Sequence, residues 1–411
     1  MAVTKITKEN ISDVSATKLT GALPAIDGQF LSNLPAGEIM VKSAANPTNT
    51  ANHSAGTMWV NTTTGEMFVC TDATTDANAW TNVGPGETEV TTSYAPAGEQ
   101  GMTYGYMCGS HTGAGMDPLA AIDKYAFASA SNGIANVGTL STTRNGPNTN
   151  HSWTHAFISA GAANNYDTTI ETFAFASDGA CTNWADMAAH TQYGYGCGSS
   201  DKDGGYGYLN GGRRTSGSGP SYTTNKVSRF PFASQSNATN IGTLQMWQDC
   251  PGNTVDRVNG YANYHGGHDA GANSTPSYNY RYAFSSSVSS SQFSNMLAGN
   301  WHYYGEGSQS ATDGFLAGGY EPSTANYTAA QIQQHSFASL SNSALWGSLT
   351  HGRYGSACHS SPDHGWSTHG MAGSGWNQNC LDKFSFASAG NSTDVGDMLF
   401  QPRCYSPGVH V

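Results

Sequence analysis

The chain has 411 residues, 50 of them glycine, and 11% are charged, against about 25% in an average globular protein. A long-helix protein is excluded because Gly disfavours helix interiors while Ser, Thr and Asn compete for backbone hydrogen bonds, and 21 Tyr, 15 Phe and 9 Trp argue against disorder. The formal charge is −12 and Lys and Arg are scattered rather than striped, so no nucleic-acid partner is expected.

Residues 1–50 include Ile6-Thr-Lys-Glu-Asn-Ile11 and Leu19-Thr-Gly-Ala-Leu-Pro-Ala-Ile-Asp-Gly28, with no helical period and too few apolar residues for a core of their own. This extended segment needs a partner, or copies of itself, to be ordered. No apolar h-region opens it, and no run in the chain approaches the eighteen apolar residues of a membrane span, so synthesis in a cytosol without membrane insertion is expected. Residues 51–100 form a small β-meander module and linker. Met58–Val60 and Met67–Cys70 flank a polar turn at Gly65, a hairpin signal, and Trp80 begins a third strand. Three short strands bury little alone. Gly84-Pro-Gly-Glu to Ala95-Pro-Ala-Gly98 reads as the linker.

Residues 101–411 are repetitive. Ile122-Asp-Lys-Tyr-Ala-Phe-Ala-Ser129 returns near Ile170, Val227, Tyr280, Ile332 and Leu381, with its marker Phe at 127, 175, 232, 284, 337 and 386. An aromatic or apolar run ending in Gly precedes each copy, as in Tyr104–Gly109 and Tyr206–Gly212. After each marker stand Val137 and Leu140, Trp184 and Met187, Ile241 and Leu244, Phe293 and Met296, Trp346 and Leu349, or Val395 and Met398. A Gly/Ser/Cys-rich stretch completes the unit. Four strands per unit, six units and no helical period predict an all-β fold, a six-bladed β-propeller. The chain enters at a second strand, and Cys404–Val411 is left over as a first strand, so the C-terminal strand is expected to close the ring and remove exposed sheet edges. The eight cysteines include no Cys-x-x-Cys. Free thiols are expected, with Cys197, Cys250, Cys358 and Cys404 as small residues on innermost strands.

Two resemblances follow from these residues. Thr20–Gly28 and the small module after it resemble the N-terminal attachment region of phage tail-fibre and related virion appendage proteins, over roughly the first quarter of the chain. This implies a virion protein made in the host cytoplasm, self-association as a homotrimer through residues 1 to about 95, and contacts with other virion proteins. Residues 101–411 resemble kelch-like, galactose-oxidase-like propellers, although Gly-Gly is reduced to a single Gly in units one, two and six and Trp holds its fourth-strand position only at Trp184 and Trp346. The copper ligands and redox Tyr-Cys arrangement of galactose oxidase have no match here, so no cofactor is implied.

Strand alternation puts the links between second and third strands and those between successive units on one face. The long second-to-third links, Arg213 to Asn225, His268 to Asn279 and Glu321 to Ala330, make that face the expected binding surface for adsorption. Its candidate ligand residues are Tyr166, Tyr222, His268, Asp269, Tyr278, Trp301, Tyr327 and Trp376, because flat rings beside polar groups match the C–H patches and hydroxyls of a glycan. The bland alternative is that each ring pins its own loop. No catalytic residues are assigned: glycosidases need two carboxylates about 5 to 9.5 Å apart, and Asp117, Asp167, Asp269 and Glu321 are dispersed. Ser361-Pro-Asp-His-Gly-Trp366 matches a sialidase Asp box only in part and once. No metal is expected, since Asp201-Lys-Asp-Gly204 lacks the further oxygens of a calcium loop, His151-Ser-Trp-Thr-His155 lacks a preceding Cys pair, and His265, His268, His364 and His369 read as hydrogen-bonded strand-end residues. The expected function is a phage tail fibre, or related fibre, whose propeller binds a host-surface glycan or receptor. A glycan depolymerase using the same face, and a capsid or tail decoration protein without receptor binding, are the alternatives.

Overall fold

A computed structural model describes residues 40–84, 101, 103–112, 117–129, 134–161, 168–188, 194–213, 223–249, 251–269, 276–297, 306–320, 328–372, 375–397, 403–404 and 408–410. Among them there is no helix. The chain divides into two compact units, Met1–Ser93 and Tyr94–Val411.

In the first unit β1 (Met40–Ser43), β2 (Met58–Asn61), β3 (Met67–Asp72) and β4 (Ala79–Gly84) form one sheet in sequence order. The hairpin at Gly65 and the strand at Trp80 are present, and β1 adds a fourth strand, parallel to β2, from the segment read as extended. Loop residues 44–57 cover one face. There His53, Trp59 and Trp80 meet edge to face with centroids 5.7 to 5.9 Å apart, and the Trp59 and Trp80 indoles donate to the carbonyls of Ala45 and Thr48.

The second unit is a β-propeller-like set of antiparallel sheets of four to five strands. Sheet I contains β5 (Tyr104–Thr112), β6 (Asp117–Ala126) and β7 (Ala135–Arg144). Sheet II runs β8 (Asn148–His151), β9 (His155–Ser159), β10 (Thr169–Ala174), β11 (Thr182–Asp186), and sheet III runs β12 (Cys197–Asp201), β13 (Tyr206–Asn210), β14 (Lys226–Pro231), β15 (Thr239–Thr243). A two-residue strand, β16 (Gln248–Asp249), precedes β17 (Gly252–Asp256) and β18 (Tyr261–His265) of sheet IV. Then come β19 (His268–Asp269), β20 (Tyr278–Ala283), β21 (Val288–Ser289) and β22 (Ser291–Asn295). Sheet IV is β17-β18-β20-β22, while β21 joins the edge of sheet III in parallel beside β15. Sheet V is β23 (Glu306–Gln309), β24 (Asp313–Ala317), β25 (Gln331–Ser336), β26 (Ala344–Ser348), and sheet VI is β27 (Cys358–Ser360), β28 (His364–Ala372), β29 (Gly375–Ser385), β30 (Thr393–Asp397). Finally β31 (Arg403–Cys404) and β32 (Gly408–His410) pair antiparallel with β5 of sheet I.

The marker phenylalanines hold neighbouring sheets together. Phe175 packs on Tyr106, Phe232 on Phe157, Phe284 on Tyr208, Phe386 on Phe315 and Phe127 on Trp366, with centroids 4.7 to 5.4 Å apart, so these five second-strand rings each meet the marker of another sheet, whereas Phe337 meets His335 of its own repeat at 5.5 Å. Ring burial of this size dominates a core's energetics. A register shift recurs where the third strand enters the repeat, between Ile122 and Asp123, Ile170 and Glu171, Val227 and Ser228, Asn279 and Tyr280, Ile332 and Gln333, and Cys380 and Asp382. Such bulges bend a strand and re-aim its side chains. Glu171 and Asp382 thereby meet Arg144 at the end of β7 and Arg353 in the link after β26 as fully buried ion pairs. The carboxylates also take the backbone N–H of Ser141 and Thr350, at 3.1 and 2.9 Å.

The first strands are crowded where they face one another. A Cβ on Gly198 would stand 1.8 Å from the Thr149 carbonyl oxygen, on Gly307 1.8 Å from that of Asn253, and on Gly408 2.4 Å from that of Cys358. Residues with and without side chains therefore alternate at this level: Thr149, Gly198, Asn253, Gly307, Cys358, Gly408. Cys197 and Cys358 are buried on these strands, and Cys70, Cys108, Cys181, Cys197, Cys358 and Cys380 are free thiols. Cys250 lies outside the described residues.

Candidate functional site

The described links between second and third strands are better ordered than irregular loops. In sheet I the β5–β6 ladder continues to Thr112 opposite Asp117, and in sheet VI β28–β29 continues to Ala372 opposite Gly375. Isolated bridges tie Arg213 to Thr223 and Tyr320 to Thr328 within the links of sheets III and V.

Between sheets III and IV the links themselves pair. The segment leaving sheet III carries β16, which lies antiparallel to β19 in the second-to-third link of sheet IV, with Gln248 opposite Asp269 and Asp249 opposite His268. The Gly266 N–H donates to the Tyr278 carbonyl at 3.1 Å, closing the base of that link. Two rings stand out of this framework: Trp247 is 43% and Tyr278 41% exposed. Tyr278 meets Tyr280 edge-on, and Tyr280 stacks on Tyr264 with centroids 5.1 Å apart, a ladder of rings running down into the core. An exposed ring held rigidly beside polar backbone loses little entropy on binding and offers a flat apolar face. Other rings of this face are spent on packing. Tyr195 lies under the Arg213 guanidinium, 5.0 Å from its centroid, and Tyr320 meets Tyr354 edge-on at 5.2 Å.

Of the residues singled out from sequence, His268, Asp269 and Tyr278 belong to this one link, His268 being half-buried. Trp376 belongs to β29, near the tip of the sheet VI hairpin, and is not brought to the others by any backbone pairing of the described residues. Tyr166, Tyr222, Trp301 and Tyr327 lie outside the described residues. Trp247 went unnoticed in the sequence. It falls three residues past Leu244, where the repeat pattern has ended, and its one signal is an aromatic residue in a short link between units.

Two other places have chemical interest. A cavity of about 70 Å3 runs between the first strands, lined by Asn148, Thr149, His151, Ser200, Gln309 and His410 among others. Its polar walls suit several ordered waters, each needing about 10 to 15 Å3 of such space. His151 and His410 meet there with ring centroids 4.7 Å apart, and burial together with nearby Lys202 pushes the His151 pKa well below the usual imidazole range. Deeper, between sheets IV and V, Thr254 Oγ1, His265 and Asn279 Oδ1 line up at 3.0 and 2.9 Å, the spacing of a nucleophile, its base and an orienting group. All three are fully buried, so in this structure the arrangement is a packed polar network and not an open cleft. Among the described residues no cluster of three or more His, Cys, Asp and Glu side chains is placed to hold a metal ion. No protein-family model and no curated protein matches the chain.

Proposed function

We propose that residues 101–411 form a closed six-bladed propeller in a phage virion appendage, a tail fibre or related fibre, and that its loop face binds a host-surface glycan or receptor protein. The N-terminal region joins copies of the chain into a homotrimer and attaches them to other virion proteins. Closure is supported by β31 and β32 pairing with β5, by Phe127 stacking on Trp366, and by the first strands touching in the order β8, β12, β17, β23, β27, β32 and again β8. The virion assignment rests on the resemblance of residues 20–28 and the module after them.

One observation carries the binding reading: Trp247 and Tyr278 stay exposed on a paired, rigid framework while neighbouring rings of the same face are packed away. A glycan supplies both partners that such a patch needs, C–H faces for the rings and hydroxyls for the polar backbone and His268. The test is binding of the full chain to a printed array of bacterial surface polysaccharides and to host cells. Trp247→Ala and Tyr278→Ala are each expected to weaken binding about tenfold, a loss of about 1.4 kcal/mol, with the melting temperature unchanged. Undiminished binding by both variants would sink the assignment of this patch. Release of reducing sugar from a bound polysaccharide would replace it with a depolymerase.

A further inference from the structure

Beneath the Tyr278 patch lies the buried seam between sheets IV and V. Thr254 Oγ1 stands 3.0 Å from His265 Nε2 and 3.4 Å from His335 Nε2, and the two imidazole centroids are 4.5 Å apart. His265 Nδ1 is 2.9 Å from Asn279 Oδ1, while the Asn279 amide donates to the Ser294 and Ser343 hydroxyls at 2.8 and 3.1 Å. One proton arrangement satisfies this chain. Asn279 Oδ1 takes the His265 Nδ1–H, His265 Nε2 takes the Thr254 hydroxyl, and the Thr254 oxygen takes the His335 Nε2–H. His335 Nδ1 is then a bare acceptor with no hydrogen-bond partner among the described residues.

We infer that this imidazole pair is an acid-sensitive latch: protonation breaks the chain, frees the base of the link carrying His268, Asp269 and Tyr278, and switches off ligand binding there. Only the last step rests on the proposed ligand site; release of the link does not. The coupling is covalent and short. His265 precedes Gly266, Gly267 and His268, Asn279 follows Tyr278, and the Gly266 N–H to Tyr278 carbonyl bond spans the two. An added proton on His265 Nε2 faces the Thr254 hydroxyl proton, and one on His335 Nδ1 finds no acceptor. Burial lowers the His265 pKa to about 4, against the Asn279 hydrogen bond that raises it, and burial together with the nearby His265 ring lowers that of His335 well below the usual range. The groups packed around the pair include Thr254 from β17, Asn279 from β20, Phe293 and Ser294 from β22, Gly314 from β24, and Ser343 and Phe337 flanking β25 and β26. None of these is an anion that would stabilise an imidazolium. The sign follows: an opened link exposes an imidazole of ordinary pKa, so opening takes up a proton between about pH 6.5 and 4 and is favoured as pH falls.

Amide hydrogen exchange of the full chain at pH 7.5 and pH 5, corrected for intrinsic rates, tests the latch. Residues 261–269 and 276–280 are expected to exchange about thirtyfold faster at pH 5, the ratio set by one proton and pKa values of 6.5 and about 4. The double variant His265→Asn with His335→Phe should remove that acceleration, whereas either single variant keeps one buried imidazole and part of the effect. Both substitutions place residues that other sheets already use there, Asn210 and Phe230 or Phe384, and the single variants serve as controls for folding. A flat native profile, acceleration shared evenly by all sheets, or the native acceleration kept in the double variant would overturn the latch. A polysaccharide retained at pH 7.5 should be released at pH 5 by the native chain and held by the double variant. If nothing on the array is retained at any pH while exchange behaves as expected, the receptor reading fails and the latch stands.

Discussion

Arg144 with Glu171 and Arg353 with Asp382 put four charged side chains where no water reaches them. Each guanidinium has further partners, Arg144 reaching the Ala160 carbonyl at 3.0 Å and the Thr169 hydroxyl at 2.7 Å. A buried pair of this kind adds little net stability over an apolar pair, but removing one partner strands the other charge and costs about 3 to 5 kcal/mol. Arg353→Met should therefore lower the unfolding free energy in urea by about that amount, and adding Asp382→Leu should restore most of it. A loss below about 1 kcal/mol in the single variant would mean that the Asp382 site is wetter than it looks. Asp123, Glu171 and Asp382 were visible in the sequence as acids inside an apolar repeat. The arginine partners of Glu171 and Asp382 were not, because Arg144 is the last residue of β7 and Arg353 stands in the link after β26, where a scattered Arg reads as surface charge.

Third and fourth strands were legible because marker Phe and Leu or Met recur at fixed spacing, and in several units those side chains sit in clusters shared by neighbouring sheets. First strands were not, because their constraint is mutual. Gly198, Gly307 and Gly408 are required by the carbonyls of Thr149, Asn253 and Cys358, residues 49 or more positions away that only the folded chain brings close. The candidate patch was half visible for the same reason. His268 and Tyr278 lie in a long loop that draws attention, whereas β16 is made a strand only by pairing with β19. The Gly alternation predicts a sharp contrast. Gly307→Ala should destabilise by about 3 kcal/mol, because its methyl meets backbone that cannot step aside. Gly390→Ala, where a Cβ meets nothing within 4 Å, should stay within about 1 kcal/mol of the native chain. Equal denaturation midpoints for the two would refute the close approach of β17 and β23.

At the scale of the molecule, stability depends on β31 and β32, whose Val409 is fully buried in the cluster with Tyr106, Ile158 and Phe173. Deleting residues 403–411 should uncover β5 and lower the calorimetric melting temperature by about 10 °C, the equivalent of several kcal/mol. An unchanged melt would argue for an open array of sheets. The pairing of β32 with β5 also has a consequence in time. A ribosome delivers the chain from its N-terminus, so β5 emerges about three hundred residues before the strand that completes its sheet. Until then sheet I offers a bare edge to any other nascent chain, and such distant pairing is slow to form. Newly made chains are therefore most prone to cross-pair with one another during synthesis, and products that terminate early should be the first to aggregate.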